Sequence, residues 1–358
     1  MTRKAAGANV YYWKKGEFGQ NFGDYLSEYF LAHLFYGPPL FYRRIHLVGS
    51  VISDAYIKTG ANTSQSSTTA SYDSPADKVI FWGCGLRSED PLNSDFNRLA
   101  AFLGVRGPLT RTFLGLPDST PTADPAFLLP AIYRPKASRA HIGRTLCIPH
   151  FHDRRTDAEL CELSGCALVV RSNIKPDLSA IEHIIDAITS ADFTLTASLH
   201  GAVVAAAYGK RFAVWDPGKI DVPFKWRDFS ESLSLPTIFT TNVEDGIEHY
   251  ETIVRSRISI PPLWTLLAVA PFAVRPNIFA RVIQSDLERH GKDILEAPVS
   301  YDTMEQLLYE AANSRFADDP KIRAYFTRAR SLESLPSAID RRIRWLRSTV
   351  KTWLRVAR

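Results

Sequence analysis

The segment TLTASLHGAVVAAAYGKRFAVW, residues 194–215, sets a histidine where chemistry is available. An apolar run ends at Thr196, Ser198, Leu199 and His200 follow at a turn, and Gly201 with a run of small residues then opens a helix. Unpaired amides at such a helix start favour an anion. An imidazole beside them titrates near neutral pH, so the pattern reads as an anion site with a proton carrier. It reads equally as a histidine that caps the helix. Arg106, in VRGPLT at a strand end, offers a planar fork that meets a phosphate or carboxylate with two hydrogen bonds. An ion-pair role is the alternative. Arg111 follows one helical turn later, where it can assist or be solvated.

Two further polar groups stand in strand-to-helix loops. Asn21 and Asp24, in NFGD, can bind hydroxyls or supply a base, or can cap the helix they precede. His150 ends a strand in IPHFHD, with His152 and Asp153 beyond it. That HxHD spacing hints at a metal, but no further ligand cluster accompanies it, so substrate contact is the expectation and no metal is expected. Gly83 and Gly85, after Trp82, allow a ligand close approach to the backbone.

Strand, glycine turn and helix alternate along the chain, which predicts an α/β layer with a mostly parallel sheet. The strands are read at 8–12, 45–52, 78–85 and 100–107. After a basic, unpatterned seam at 134–143 the alternation restarts with strands near 145–151, 166–171, 193–198 and 211–215. The fold class expected is therefore α/β, with two Rossmann-like domains facing across a cleft. Domain bounds are set at 1–140, 141–255 and 256–358, the last a helical extension. Ligands of open α/β sheets sit at the carboxyl ends of strands, which makes the cleft the expected site. Residues 59–77 read as a surface loop. Residues 256–276, apolar but broken by three prolines, read as a buried or docking segment or as a membrane contact. Helices follow at 277–291 and 301–333.

The formal charge is +5, but residues 341–358 hold seven Arg/Lys and no acid, which leaves −2 for the rest. The basic character belongs to a tail, so no nucleic-acid partner is expected. That tail has helical apolar spacing and two tryptophans, which suits an anionic membrane surface; a helix packed on the body is the alternative. Cys84, Cys147, Cys161 and Cys166 form no CxxC pair and no zinc spacing, and are expected as free thiols in a reducing compartment. The first residues carry no apolar run that reads as a secretory signal.

Taken in order, NFGD (21–24), GS (49–50), FWGCG (81–85), VRGPLT (105–110), ADPAFLLP (123–130), IPHFHD (148–153) and SLHG (198–201) resemble the motifs of the polysaccharide pyruvyl transferase family. The resemblance covers roughly residues 8–220. It implies a GT-B-like arrangement and transfer of a pyruvyl group from phosphoenolpyruvate to a sugar, forming a cyclic ketal and releasing phosphate, with no cofactor. Arg106 matches the family's donor-binding arginine. Some members carry Arg immediately before the Leu-His pair. Ser198 stands there in this chain, so another cation must replace it, or the hydroxyl and backbone must suffice.

Residue types and resemblance together give the expected site. His200, Asp24 and Arg106 are catalytic; Asn21, Gly23, Gly83, Gly85, Arg111, His150, Ser198, Leu199 and Gly201 bind substrate. The expected acceptor is a lipid-linked oligosaccharide or polysaccharide repeat unit. The expected location is the cytoplasm, peripheral at the inner face of the plasma membrane. A nucleotide-sugar glycosyltransferase is the competing enzyme, kept open by Asp216 and Asp221. A membrane-surface scaffold is the non-enzymatic alternative.

Overall fold

The computed structural model describes residues 3–5, 8–13, 19–39, 44–60 and 78–291. Most of the loop expected at 59–77, the helix expected at 301–333 and the basic tail at 341–358 lie outside the described residues.

Two sheets organise the chain. The first has five strands in the order Arg3–Ala5, Ala8–Val10, Arg44–His46, Val79–Cys84 and Ala100–Val105. Its first pair is antiparallel and the other pairings are parallel. Val79–Cys84 is buried at every position, as an inner parallel strand covered on both faces must be. The second sheet runs Phe212–Val214, Phe193–Thr196, Thr145–Ile148 and Leu168–Val169, and all its pairings are parallel. This is an α/β fold whose described C-terminal part is mostly helical, with helices Trp264–Ala268 and Pro276–His290. Between the sheets, residues 134–144 form no helix or strand and are mostly exposed.

Three features tie the sheets together. The helix Phe22–His33 follows the short strand Gln20–Asn21, which pairs antiparallel with Asn173–Ile174 from the other half of the chain. The helix Leu178–Ser190 buries Ile181, Ile184, Ile185 and Ile188, an i, i+3, i+4, i+7 stripe. That stripe joins one continuous core containing Phe22, Leu26, Trp82, Ile148 and Val203. The helix Leu199–Ala207 is buried along its whole length, which its small side chains permit.

Residues 256–276 dock on the first half. Trp264, Leu266 and Leu267 are buried, the Trp82 indole donates to the Leu266 carbonyl at 2.8 Å, and Phe272–Val274 pairs with Phe35–Pro39. The segment is buried from Leu263 to Ala268, while Ser256, Arg257 and Ser259 are exposed. Among the described residues no helix is long and apolar enough to cross a membrane.

Candidate active site

The carboxyl ends of strands from both sheets surround a cavity of about 160 Å³. Asn21, Asp24, Gly49, Ser50, Tyr56 and Arg87 line it from one side, and His150, Ser198, Leu199, His200, Asp221 and Lys225 from the other.

His200 reaches the cavity because the strand Phe193–Thr196 turns sharply into the helix Leu199–Ala207. The Thr196 hydroxyl secures that turn: it accepts from the Ser198 amide at 3.0 Å and donates to the Ser198 carbonyl at 2.9 Å. Gly201 is required by this packing, since a Cβ there would lie 2.5 Å from the Thr196 oxygen. Ser198 takes the N-cap position without a side-chain capping bond, and Ser198, Leu199 and His200 all line the cavity, so the first-turn amides lie beside it, where an anion is favoured. The His200 ring stands edge-on to Phe22. Its Nδ1 sits over Gly23, where a Cβ would be only 1.9 Å away. Its Nε2 is buried without a hydrogen-bond partner and faces Asp124 Oδ2 at 3.7 Å. Burial lowers the pKa of His200, against the opposing pull of the Asp124 charge, so the imidazole is neutral at neutral pH and can accept a proton.

Asp24 stands in the first turn of Phe22–His33 and accepts from the Asn21 amide nitrogen at 2.7 Å. Asn21 is the N-cap residue, yet its side chain makes no capping bond; it serves Asp24 instead. Burial raises the Asp24 carboxyl to about 6, against the lowering effect of Asn21, Lys225 and Arg87. A carboxyl so placed exchanges protons near neutral pH.

The cations of the cavity are Lys225 and Arg87. Lys225 lies in the first turn of the helix Pro223–Ser232 and its Nζ meets Asp221 Oδ2 at 2.6 Å. His150 Nε2 approaches the same oxygen at 3.4 Å. These partners hold the Asp221 carboxyl well below the usual range, the His150 contact contributing most. Burial lowers the pKa of Lys225, with Asp221 opposing. Asp221 is thus engaged with two side chains, and Asp216 turns to the Gly218 amide at 2.8 Å. Neither is placed as an unengaged acid for a nucleotide ribose.

Several expected residues stand back from the cavity. Arg106 is 1% exposed and lies behind the wall. Its Nε meets Asp228 at 3.3 Å and its Nη1 donates to the hydroxyl of Ser50, which does line the cavity, at 2.6 Å. Asp228 also accepts from the Thr110 amide and hydroxyl at 3.0 and 2.6 Å. Gly85 makes room for that guanidinium, since its Cβ would fall 2.2 Å from Arg106 Cζ. Gly83, at φ +68°, makes room for Pro125 in the same way. Both glycines admit protein atoms. Arg111 is turned to Asp118. His152 is exposed on the rim and Asp153 is bonded to Arg155. Among the described residues no group of three or more His, Cys, Asp or Glu is arranged to hold a metal. The four cysteines are free thiols.

The family model described as polysaccharide pyruvyl transferase matches residues 21–216, more than half of the chain. The chain belongs to this family. It is an enzyme that transfers a pyruvyl group to a polysaccharide or related glycan acceptor. No curated protein and no solved structure matches it. The matched span begins at Asn21 and takes in Asp24, Asp124, His150 and His200. It ends before Lys225, the cation that this pyruvyl transferase brings to the cavity from the following helix.

Lys225, Arg87 and Asp124 were not singled out by sequence reasoning. One signal for Lys225 was present. A cation two residues after a helix-starting proline opposes the helix dipole, and a residue held there at such a cost has a reason outside its helix. Nothing local marks Arg87. Asp124 lies in ADPAFLLP, one of the motifs of the resemblance, and by its local chemistry is only a helix-cap type residue before Pro125.

Proposed function

We propose that the donor is phosphoenolpyruvate, that its phosphate and carboxylate occupy the cavity wall formed by Lys225, Arg87 and the amides of Leu199 and His200, and that His200 and Asp24 move the protons. The observation that carries this reading is the meeting, in one cavity, of a neutral imidazole, a carboxyl raised to about 6 and two cations. Lys225 fills the place of the cation that Ser198 does not supply. Arg106 acts from behind, by holding Ser50 and the helix of Lys225.

In the reaction, a sugar hydroxyl oxygen bonds to C2 of the donor while C3 gains a proton, which makes the methyl group. A neighbouring hydroxyl then attacks the same C2, the C2–O bond to phosphate breaks, and the second hydroxyl proton leaves with phosphate. One group must take a proton from oxygen and one must give a proton to carbon. His200 and Asp24 flank the space in which both transfers occur.

The paired sheets and the cavity at their strand ends support the GT-B-like arrangement that the sequence resemblance implies, with the acceptor half near 1–140 and the donor half near 141–255. The acceptor proposed is a lipid-linked repeat unit, met at the cytoplasmic membrane face through residues 341–358. Sedimentation with anionic liposomes, with and without those residues, tests that location, and equal binding by both forms would remove the tail from the account.

The transfer itself is tested by incubating the protein with phosphoenolpyruvate and a panel of p-nitrophenyl hexosides and lipid-linked oligosaccharides. Acceptor mass and inorganic phosphate are followed together. A pyruvyl mass gain matched by phosphate, lost in His200→Ala, supports the reading. Transfer from a nucleotide sugar in its place would overturn it.

A further inference from the structure

The imidazole of His200 has two nitrogens, and the structure distinguishes them. Nδ1 lies over Gly23, beside the Asn21–Asp24 turn that lines the cavity. Nε2 points away from it, has no hydrogen-bond partner, and faces Asp124 Oδ2 at 3.7 Å. That carboxylate oxygen is also without a partner. Asp124 is 1% exposed and His200 7%. Two buried polar atoms of complementary type, orphaned and facing each other, are rare in a folded chain without a reason.

Asp124 is itself held in place. The Ala123 amide donates to the Val105 carbonyl at 2.9 Å, which fixes the chain just before it. Pro125, just after it, fills the space that Gly83 leaves open. Asp124 Oδ1 accepts from the Ala126 amide at 2.9 Å, capping the 3-10 turn Pro125–Leu128. The second oxygen is thereby aimed at the histidine.

We propose that Asp124 is a positioning residue for the transfer: its carboxylate keeps the His200 proton on Nε2, which leaves Nδ1 as the nitrogen that exchanges a proton with the substrate. The inference rests on the assignment of His200 to proton transfer. An Nε2 lone pair facing a carboxylate is repelled, whereas an Nε2–H facing it is attracted, so the neutral ring takes the Nε2–H tautomer. The gap is longer than a hydrogen bond. It closes when Nδ1 accepts a proton and the ring becomes cationic, because charge then develops against a fixed counter-charge. Four charged groups surround the ring: Asp124 behind it, Asp24 on the cavity side, and Arg106 and Lys225. Both cations oppose its protonation, and Asp124 favours it.

The test is the tautomer of His200, read by long-range nitrogen–proton NMR on the full chain labelled with 15N-histidine, with His200→Gln assigning the signal. The wild type is expected as Nε2–H. In Asp124→Asn the retained oxygen still caps Ala126, while the new amide donates to Nε2 and drives the ring to Nδ1–H. The kcat for phosphoenolpyruvate and the accepting p-nitrophenyl hexoside should then fall by roughly 10²- to 10⁴-fold. The donor KM should stay within about threefold, since Asp124 lies outside the anion wall. An Nδ1–H ring in the wild type overturns the proposal even if the variant does not fold. So does an Asp124→Asn enzyme that keeps near-wild-type kcat while His200→Ala is inactive. Activity retained in His200→Ala would instead remove the assignment of His200 on which this inference stands.

Discussion

Gly23→Ala should separate activity from stability. Gly23 is a buried residue inside the helix Phe22–His33 and does not have positive φ, so alanine suits its backbone. The added Cβ would lie 1.9 Å from His200 Nδ1 and 2.6 Å from Cγ and Cε1, where ordinary contact begins at 3.4 Å. The ring must therefore retreat by about 1.5 Å. Retreat along Nε2 closes the 3.7 Å gap to Asp124, so rotation or sideways displacement must contribute. A misplacement of about 1 Å can cost about 10²-fold in rate, which sets the expected loss of kcat at 100-fold or more. For stability, the helix gains about 0.5–1 kcal/mol from alanine and loses about 1–3 kcal/mol to overpacking. The net cost is at most about 2.5 kcal/mol, which lowers Tm by less than about 10 °C. Initial rates of acceptor-dependent phosphate release and a thermal melt measure the two effects on one preparation. A Gly23→Ala enzyme with kcat within about threefold of wild type would refute the claim that the position of His200 over this glycine governs the chemistry.

Three other variants probe the cavity and its support. Lys225→Met removes a charge-assisted contact worth about 1.5–3 kcal/mol, so the donor KM should rise by roughly 10- to 150-fold in steady-state kinetics. Asp24→Asn should lower kcat by roughly 10²- to 10⁴-fold and stabilise the fold above neutrality. With the native carboxyl raised from 3.8 to about 6, the folded state binds the proton more tightly between those pH values. Stability therefore falls as pH rises through that window, with an upper bound of roughly 3 kcal/mol. Unfolding free energies from urea titration should favour the variant by about 1–2 kcal/mol at pH 8 and by nothing below pH 4. Arg106→Ala leaves Asp228 buried without its cation, at a cost of about 3–5 kcal/mol, seen as a lower urea midpoint. A raised donor KM with an unchanged midpoint would instead mark Arg106 as a direct donor contact.

The parts of the site legible in the sequence were those encoded locally. SLHG at 198–201 was readable because a buried strand, a turn and a run of small residues adjoin in the chain, and each constrains the next. Asn21 and Asp24 were readable as a pair because they lie one helical turn apart, although the bond between their side chains replaced the expected cap. What escaped was set by distant partners. VRGPLT at a strand end fixed where Arg106 sits along the chain, but its burial is decided by Asp228, 122 residues later. Lys225 belongs to a helix that buries Phe224, Lys225, Trp226, Asp228, Phe229 and Ser230 together, so no clean apolar stripe marks its inward face. The two sheets followed from alternation alone. The return of Phe272–Val274 to pair with Phe35–Pro39 did not, because so short a strand carries no periodic signal.

The pairing of Gln20–Asn21 with Asn173–Ile174 also sets a timetable for the nascent chain. The turn that bears Asp24 leaves the ribosome about 150 residues ahead of the strand that fixes it and still further ahead of His200. At roughly 5–20 residues per second, that is a wait of about 8–30 s. Throughout it Phe22, Leu26 and Phe30 have no access to Ile181 and Ile185, the partners that complete their core. An unfinished chain therefore exposes an apolar helix face and holds no active centre. The cavity can be completed only after Lys225 has been made, and until then that apolar face is open to a chaperone or to other unfolded chains.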